Sequence, residues 1–488
     1  MIQPLVRIAA AAMCVAIVQT TTPAVGAWER FHGDAANRGF ADVDTKPAAG
    51  GSLSVPGLGT FALGAGPVIA PDGTVYLGTQ EGKLIALHAD GKPFWSRDID
   101  ADEAIVASPA IGADGRVYVI GAKLKITKIG SIKKTQIGSK LYAFNATGAL
   151  LARTPFPKQG LRGPTTAPPN IVSVGGREII LAPALYKNPT VKNGVDVRLI
   201  GFSTNGGVVL DQLAVPQPGV DVITGGGPSL SDLLLGFSCV SPGIATYLYC
   251  GLQGGYDYNP QRSPAAPPFP PPFPGIAVFT FAGGGASHVI VSDQRHTIVD
   301  FSVTGSKPRL TQVFRDGDPQ RTLLSPPMVL PEGRTLASTA GEQIIFSGPN
   351  QNKLAPVSSP GFVYGTPTRT VNGFAVVAGT NGLSVLKDGN LVSQMSLPPS
   401  FASAAASRTH IFVSTTDAFV TLDADAQLKL QSFDWVGGGK SPPAIGPDGR
   451  VYAIASDILF IFPPPLKVSG PLPHAPAAVV PREDPGGQ

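Results

Sequence analysis

The phrase "SPPAIGPDGRVYAIAS", Ser441 to Ser456, returns in close copy as "SPAIGADGRVYVIG" at Ser108 to Gly121 and as "GPVIAPDGTVYLGT" at Gly66 to Thr79. Near-identical phrases this far apart mean that the chain repeats one structural unit. In each copy a proline opens a strand, where a missing N–H costs least. An Asp-Gly pair then makes a tight turn, at Asp72-Gly73, Asp114-Gly115 and Asp448-Gly449. Glycine tolerates positive φ there, and aspartate bonds its own backbone. The returning run, rich in Val, Tyr and Ile, is a second strand.

A third strand follows each hairpin. Its members are "KLIAL" at Lys83, "KLYAF" at Lys140, "RLIGF" at Arg198, "TIVDF" at Thr297, "GLSVL" at Gly382, "AFVTL" at Ala418 and "ILFIF" at Ile458, with "QIIFS" at Gln343 as a weaker eighth. The last four spacings lie between 36 and 46 residues, and insertions lengthen the earlier ones. A turn and a fourth strand complete most units, as in "KPFWSRDI", "ALLARTPF", "GVVLDQLAV", "KPRLTQVF", "NLVSQMSL" and "QLKLQSFD". The last unit breaks the rule, because "ILFIF" runs directly into "PPPLKVSG".

Four strands per period of about 40 residues specify an all-β fold, the β-propeller of four-stranded antiparallel blades. One such sheet cannot bury both faces alone, so blades pack radially against two neighbours. The expectation is eight blades, with seven as the alternative if the fourth or fifth repeat forms none. The ring must close, and an unpaired edge in the last blade is a hazard. "SLSV", Ser52 to Val55, has no hairpin of its own, and is predicted to supply the missing outer strand of the last blade.

Residues 1–27 read as an export signal: Arg7, the apolar run Ile8 to Val18, then the small residues of "AVGA", with cleavage after Ala27. The apolar run is too short to span a bilayer, and no later run is longer. Removing Arg7 takes the net charge from +4 to +3. Cys239 and Cys250 remain, a close pair expected to form a disulfide in an oxidising compartment. The propeller spans 28–463, a Pro-rich tail follows at 464–488, and the expected location is periplasmic or secreted.

The phrases resemble the pyrroloquinoline-quinone-like propeller repeat. The first unit matches best, from Pro67 through Asp72-Gly73-Thr74-Val75-Tyr76 and Leu84-Ile85-Ala86-Leu87 to Trp95, and "WERFHGDAANRGF", Trp28 to Phe40, looks like the leader that precedes such propellers. The family includes quinone-dependent alcohol and sugar dehydrogenases as well as cofactor-free scaffolds. Its enzymes hold the quinone against a Trp face, in many members beside a disulfide of adjacent cysteines. A calcium or lanthanide bound by Glu, Asn and Asp fixes it, and an Asp acts as base. This chain has no Cys-Cys pair, its tryptophans are Trp28, Trp95 and Trp435, and no Glu, Asn and Asp set matches the pattern.

Two insertions break the period. "AKLKITKIGSIKKTQIGSK", Ala122 to Lys140, contains six lysines and no acid, and its partial alternation predicts a projecting hairpin with Gly130-Ser131 near the tip. It reads as a solvated hairpin whose lysines guard an edge, or as a basic finger in which Lys123, Lys125, Lys128, Lys133 and Lys134 meet an anionic partner. Nucleic acid is not expected, since interleaved aromatics are missing and the charge is small. The second insertion, about 211–272, carries the cysteines, a proline tract and Tyr247, Tyr249, Tyr256 and Tyr258. It reads as a lid packed on the propeller or as a partner-contacting loop, for which tyrosine supplies large area at low rotamer entropy.

Catalytic patterns are scarce. No two histidines stand at H-x-x-x-H spacing, and "VGGGKS" at Val436 lacks the earlier glycine of a phosphate loop, Asp434 standing in its place. The expectation is an exported, monomeric, non-catalytic binding or scaffold module for a protein or anionic envelope component, with no catalytic residue, metal or cofactor. Two alternatives stand behind it. One is a quinoprotein-like dehydrogenase carrying pyrroloquinoline quinone and calcium, the other a metal-assisted hydrolase.

Overall fold

The computed structural model describes residues 28–216 and 275–465, apart from positions 50, 63, 130–131, 162–164, 192–194, 281–285, 294–296, 306–307, 319–322, 324, 340–341, 348–351, 362, 425–427, 435–438 and 440. Eight antiparallel sheets form a closed eight-bladed propeller. Blade 1 shows the unit: Val68–Ile69, Val75–Gly78, Lys83–Leu87 and Pro93–Asp98, in that order from axis to rim. Blades 2 to 7 begin at Ala110–Ile111, Asn170–Val174, Gly275–Thr280, Met328–Val329, Thr368–Arg369 and Ala405–Ala406. The weak fifth repeat is a true blade, although its outer strand is split into Asn352–Lys353 and Val357–Ser358.

Blade 8 contains Ala444–Ile445, Val451–Ala455 and Ile458–Phe462, and Leu53–Val55 is its outermost strand. The register pairs Leu53 with Ile461, Ser54 with Phe460 and Val55 with Leu459. The closure predicted from "SLSV" is therefore present, and both ends of the propeller sequence share one sheet.

Strand alternation explains why these strands are apolar on both sides. Val75, Leu77, Ile85 and Leu87 of blade 1 pack with Ile445, Val451 and Leu459 of blade 8. Their neighbours Tyr76, Leu84 and Ala86 pack the other way, with Ile111, Val117 and Val119 of blade 2. Each blade–blade seam repeats this arrangement around the ring. Trp95 adds a polar tie across one seam. Its indole Nε1 donates to Ala146 O of blade 2 at 2.9 Å.

Residues 28–41 occupy the axis. They run around the channel in blade order, bonding the innermost strands in turn. Trp28 exchanges bonds with Ile69 of blade 1, and Glu29 O accepts from Ile111 N of blade 2 at 2.8 Å. Ala35 O accepts from the Asn170 side chain of blade 3 at 2.9 Å and from Val278 N of blade 4 at 2.6 Å. Ala36, Arg38 and Gly39 carbonyls accept from Val329, Arg369 and Ala406 of blades 5, 6 and 7. The chain then crosses blade 7 outward, where Ala48 meets Thr421 and Ser432, before entering blade 8 as its outer strand.

Two side chains make the hub tight. Trp28 is 1% exposed, a burial that contributes about 2–3 kcal/mol. His32 is equally buried, with Nδ1 2.7 Å from Asn37 O and Nε2 2.9 Å from Ala404 O. Burial pushes its imidazole below the ordinary histidine range. Gly39 turns beneath that ring at φ +61°, and a Cβ there would lie 2.2 Å from His32 Nε2. No other residue fits.

Candidate binding face

A blade of four antiparallel strands sends its turns to two opposite faces. The turns between first and second and between third and fourth strands lie on one, here the hairpin face. The turn between second and third strands, and the links between blades, lie on the other, the connection face. Both insertions therefore emerge on the connection face. The basic stretch joins the second and third strands of blade 2. Residues 217–274 join the outermost strand of blade 3, Val208–Val215, to the first strand of blade 4. That strand is the expected fourth strand "GVVLDQLAV" and ends at Val215.

The basic stretch is a hairpin, as predicted. Val117–Ile129 pairs with Ile132–Phe144 without interruption out to Ile129↔Ile132. Six residue pairs lie beyond Lys123↔Gly138, an extension of about 20 Å past the anchored root. Lys128 and Lys133 hold the same register position beside the tip, Lys134 stands opposite Thr127, and Lys125 opposite Gln136. Like charges directly opposed across a pair of strands repel. Nothing in the sequence of the finger compensates them, since it contains no acid.

The base of the finger is compensated. Lys140 Nζ donates to Glu103 at 2.6 Å and also bonds Asp100. Tyr142 OH donates to Glu103 at 2.8 Å, and Arg153 donates to Asp100 at 2.7 Å. Glu103 is 5% exposed and has two donors. Burial, reinforced by Glu103, drives the Tyr142 phenol upward, so it remains a donor at any physiological pH. Burial alone would lower Lys140, but the two carboxylates outweigh it and raise it. Lys123 Nζ lies 3.8 Å from Asp102 in the same blade 1–2 link. Of the five lysines expected to meet a partner, Lys123 thus sits in this anchoring cluster, and the other four lie farther out. The acids Asp100, Asp102 and Glu103 gave no sequence signal, because they belong to a different repeat.

Tyr247, Tyr249, Tyr256, Tyr258, Cys239 and Cys250 lie outside the described residues, as do the signal-like segment 1–27 and tail residues 466–488. His288 sits on the second strand of blade 4 with Nδ1 3.0 Å from Asp300 Oδ1 of the third strand, and His296 lies outside the described residues.

Residues 28–41 line the axis, bonding the innermost strands of blades 1 to 7. Trp28 is packed within that hub, Trp95 is committed to the blade 1–2 seam on an outer strand, and Trp435 lies outside the described residues. Among the described residues, no three His, Cys, Asp or Glu side chains are grouped closely enough to hold a metal ion. No helix among them is long and apolar enough to cross a membrane.

Comparison with known proteins agrees with the repeat. A family model described as outer membrane protein assembly factor BamB, of the pyrroloquinoline-quinone-like repeat type, matches residues 28–222, the leader and the first three blades. No curated protein matches the sequence. Among solved structures, the quinohemoprotein alcohol dehydrogenase ADHIIG of Pseudomonas putida HK5 superposes with a TM-score of 0.57 at 12% identity, covering 92% of this chain and 82% of that one. Sqt1 of Saccharomyces cerevisiae gives 0.54 at 10% identity, covering 86% and 99%. At such identities the likeness is one of fold.

Proposed function

We propose that this protein is an exported, monomeric, non-catalytic binding module that engages an acidic protein or another anionic envelope component through its connection face. The observation that carries the reading is the finger. About 20 Å of paired backbone extends beyond the anchored root. Its outer part holds Lys125, Lys128, Lys133 and Lys134 with no acid among them, while the base is locked by an ion-pair cluster. A rigid root beneath a lysine-rich tip suits capture of negative charge. The adjacent blade 3–4 link carries the tyrosine-rich segment from the same face, which adds contact chemistry. Export is supported by the signal-like first 27 residues, and a binding role by the match to a family of outer membrane protein assembly factors. The packing of Trp28 in the hub and the commitment of Trp95 to a blade seam argue against a resident quinone.

The test is affinity capture from an envelope extract, with the wild-type protein and the K125E/K128E/K133E/K134E variant compared at low and high salt. A component held by the wild type should be lost with charge reversal, with affinity down at least about ten-fold, and should elute as salt rises. Equal capture by both proteins would sink the finger as the contact. Dye-linked oxidation of alcohols or sugars after addition of pyrroloquinoline quinone and calcium would overturn the non-catalytic reading.

A further inference from the structure

The opposite face holds a site of another kind. Where the leader meets the hairpin turns of blades 1 to 5, a cavity of about 700 Å³ opens beside the axis. This is the size range of small-molecule sites. The leader contributes Glu29 and Arg30, the blade 3 hairpin contributes Glu178, and blades 4 and 5 contribute an apolar wall that includes Phe279, Val329 and Leu330.

Its charges are unevenly settled. Arg38 and Asp34, also on the lining, bond each other. Glu178 accepts from Ala113 N at 3.1 Å. Arg30, by contrast, has its Nε buried with no hydrogen-bond partner. A buried guanidinium donor without an acceptor is costly, and a carboxylate is the acceptor whose planar geometry matches it. Burial lowers the Arg30 guanidinium and raises the Glu29 carboxyl. Glu29 and Glu178 already surround the one arginine that Asp34 does not claim, so a pure anion would add a further negative charge. A pure cation would leave the Arg30 guanidinium on the lining without a carboxylate. A ligand carrying both charges meets both demands.

We propose that this cavity binds a zwitterionic amino acid or short peptide, with its carboxylate on Arg30, its ammonium on the side of Glu29 and Glu178, and its apolar body against Phe279, Val329 and Leu330. The site is independent of the finger and lies on the other face of the ring.

Titration calorimetry of the full chain with four probes tests it: leucine, leucyl-leucine, leucinamide and N-acetyl-leucine. The amide removes the carboxylate and the acetyl group removes the ammonium. Leucine or leucyl-leucine should bind saturably, whichever is tighter showing whether the occupant is an amino acid or a peptide. Each blocked probe should bind at least about ten-fold more weakly than leucine. Arg30→Met should abolish zwitterion binding. Because Arg30 belongs to the hub, Glu178→Gln on the blade 3 hairpin gives a second variant, expected to weaken zwitterions several-fold and to leave N-acetyl-leucine unaffected. No saturable binding of either zwitterion, equal binding of a blocked probe, or unchanged affinity in a folded Glu178→Gln protein would overturn the proposal.

Discussion

The two faces of the ring are built differently although one repeat generates both. On the hairpin face the links are mostly short Asp-Gly, Asn-Gly and Thr-Gly turns, and the leader bonds the innermost strand of blade after blade. On the connection face the links vary from the two residues between Ala455 and Ile458 to a finger of about 20 Å and the 217–274 segment. The first face is held in place by the hub, where a change in one turn disturbs several blades. The second can lengthen without touching the axis, because insertions begin where a blade has already paired its strands. Variation accumulates where the scaffold is indifferent to it, and loops placed there are free to acquire contacts.

Substitutions should separate the hub from the ordinary turns, and the root of the finger from its tip. The largest effect is expected from Gly39→Ala in the hub, which combines a positive-φ penalty with a clash against His32. It should cost about 3 kcal/mol or more, read as a lower denaturant midpoint. Gly175→Ala, at φ +57° in the blade 3 hairpin with nothing within 4 Å of the new Cβ, should cost only about 1 kcal/mol. Equal costs would mean that the hub is no more tightly fitted than an ordinary turn.

Lys140→Met comes next. It leaves Glu103, whose side chain is 2% exposed, with Tyr142 as its remaining donor, and should cost about 2 kcal/mol. Lys128→Ala, farther along the same hairpin, should stay within about 0.5 kcal/mol. If the two match, the root of the finger is not the anchor described here.

The smallest effect is a pH dependence. His32, facing Asp34, and His410, facing Asp44 and Asp423, are both held below the ordinary histidine range, chiefly by burial. In the unfolded chain they take up protons near pH 6.5. The unfolded state then binds more protons than the folded one, so stability is complete above that pH and declines as pH falls below it. Melting temperature followed from pH 7.5 downward should show the decline, and His410→Asn should make it shallower. An unchanged slope in that variant would remove His410 from the account.

The ring was legible because its information is local and repeated. Asp72-Gly73, Asp114-Gly115 and Asp448-Gly449 each specify a turn from two residues, and the missing strand after "ILFIF" pointed to Leu53–Val55. The hub was not legible. "WERFHGDAANRGF" has neither strand nor helix period, since its polar groups serve backbone atoms of blades hundreds of residues away. The same reason hid Arg30 and the cavity, whose walls come from several repeats. The finger was readable as a hairpin from its alternation, whereas its anchor required knowing which link of blade 1 lies beside it. The split outer strand of blade 5 was missed because Asn352–Lys353 and Val357–Ser358 are each too short to show a pattern.

The leader also sets the order of assembly. Its residues are synthesised before any blade, yet His32 bonds Ala404 and Phe61 bonds Asp457. Blades can collapse one after another as the polypeptide lengthens, but their common spindle is not fully seated until blade 7 exists. Contacts between residues so distant in sequence make folding slow. Ring completion is therefore the late event that a spindle placed first in the chain must wait for.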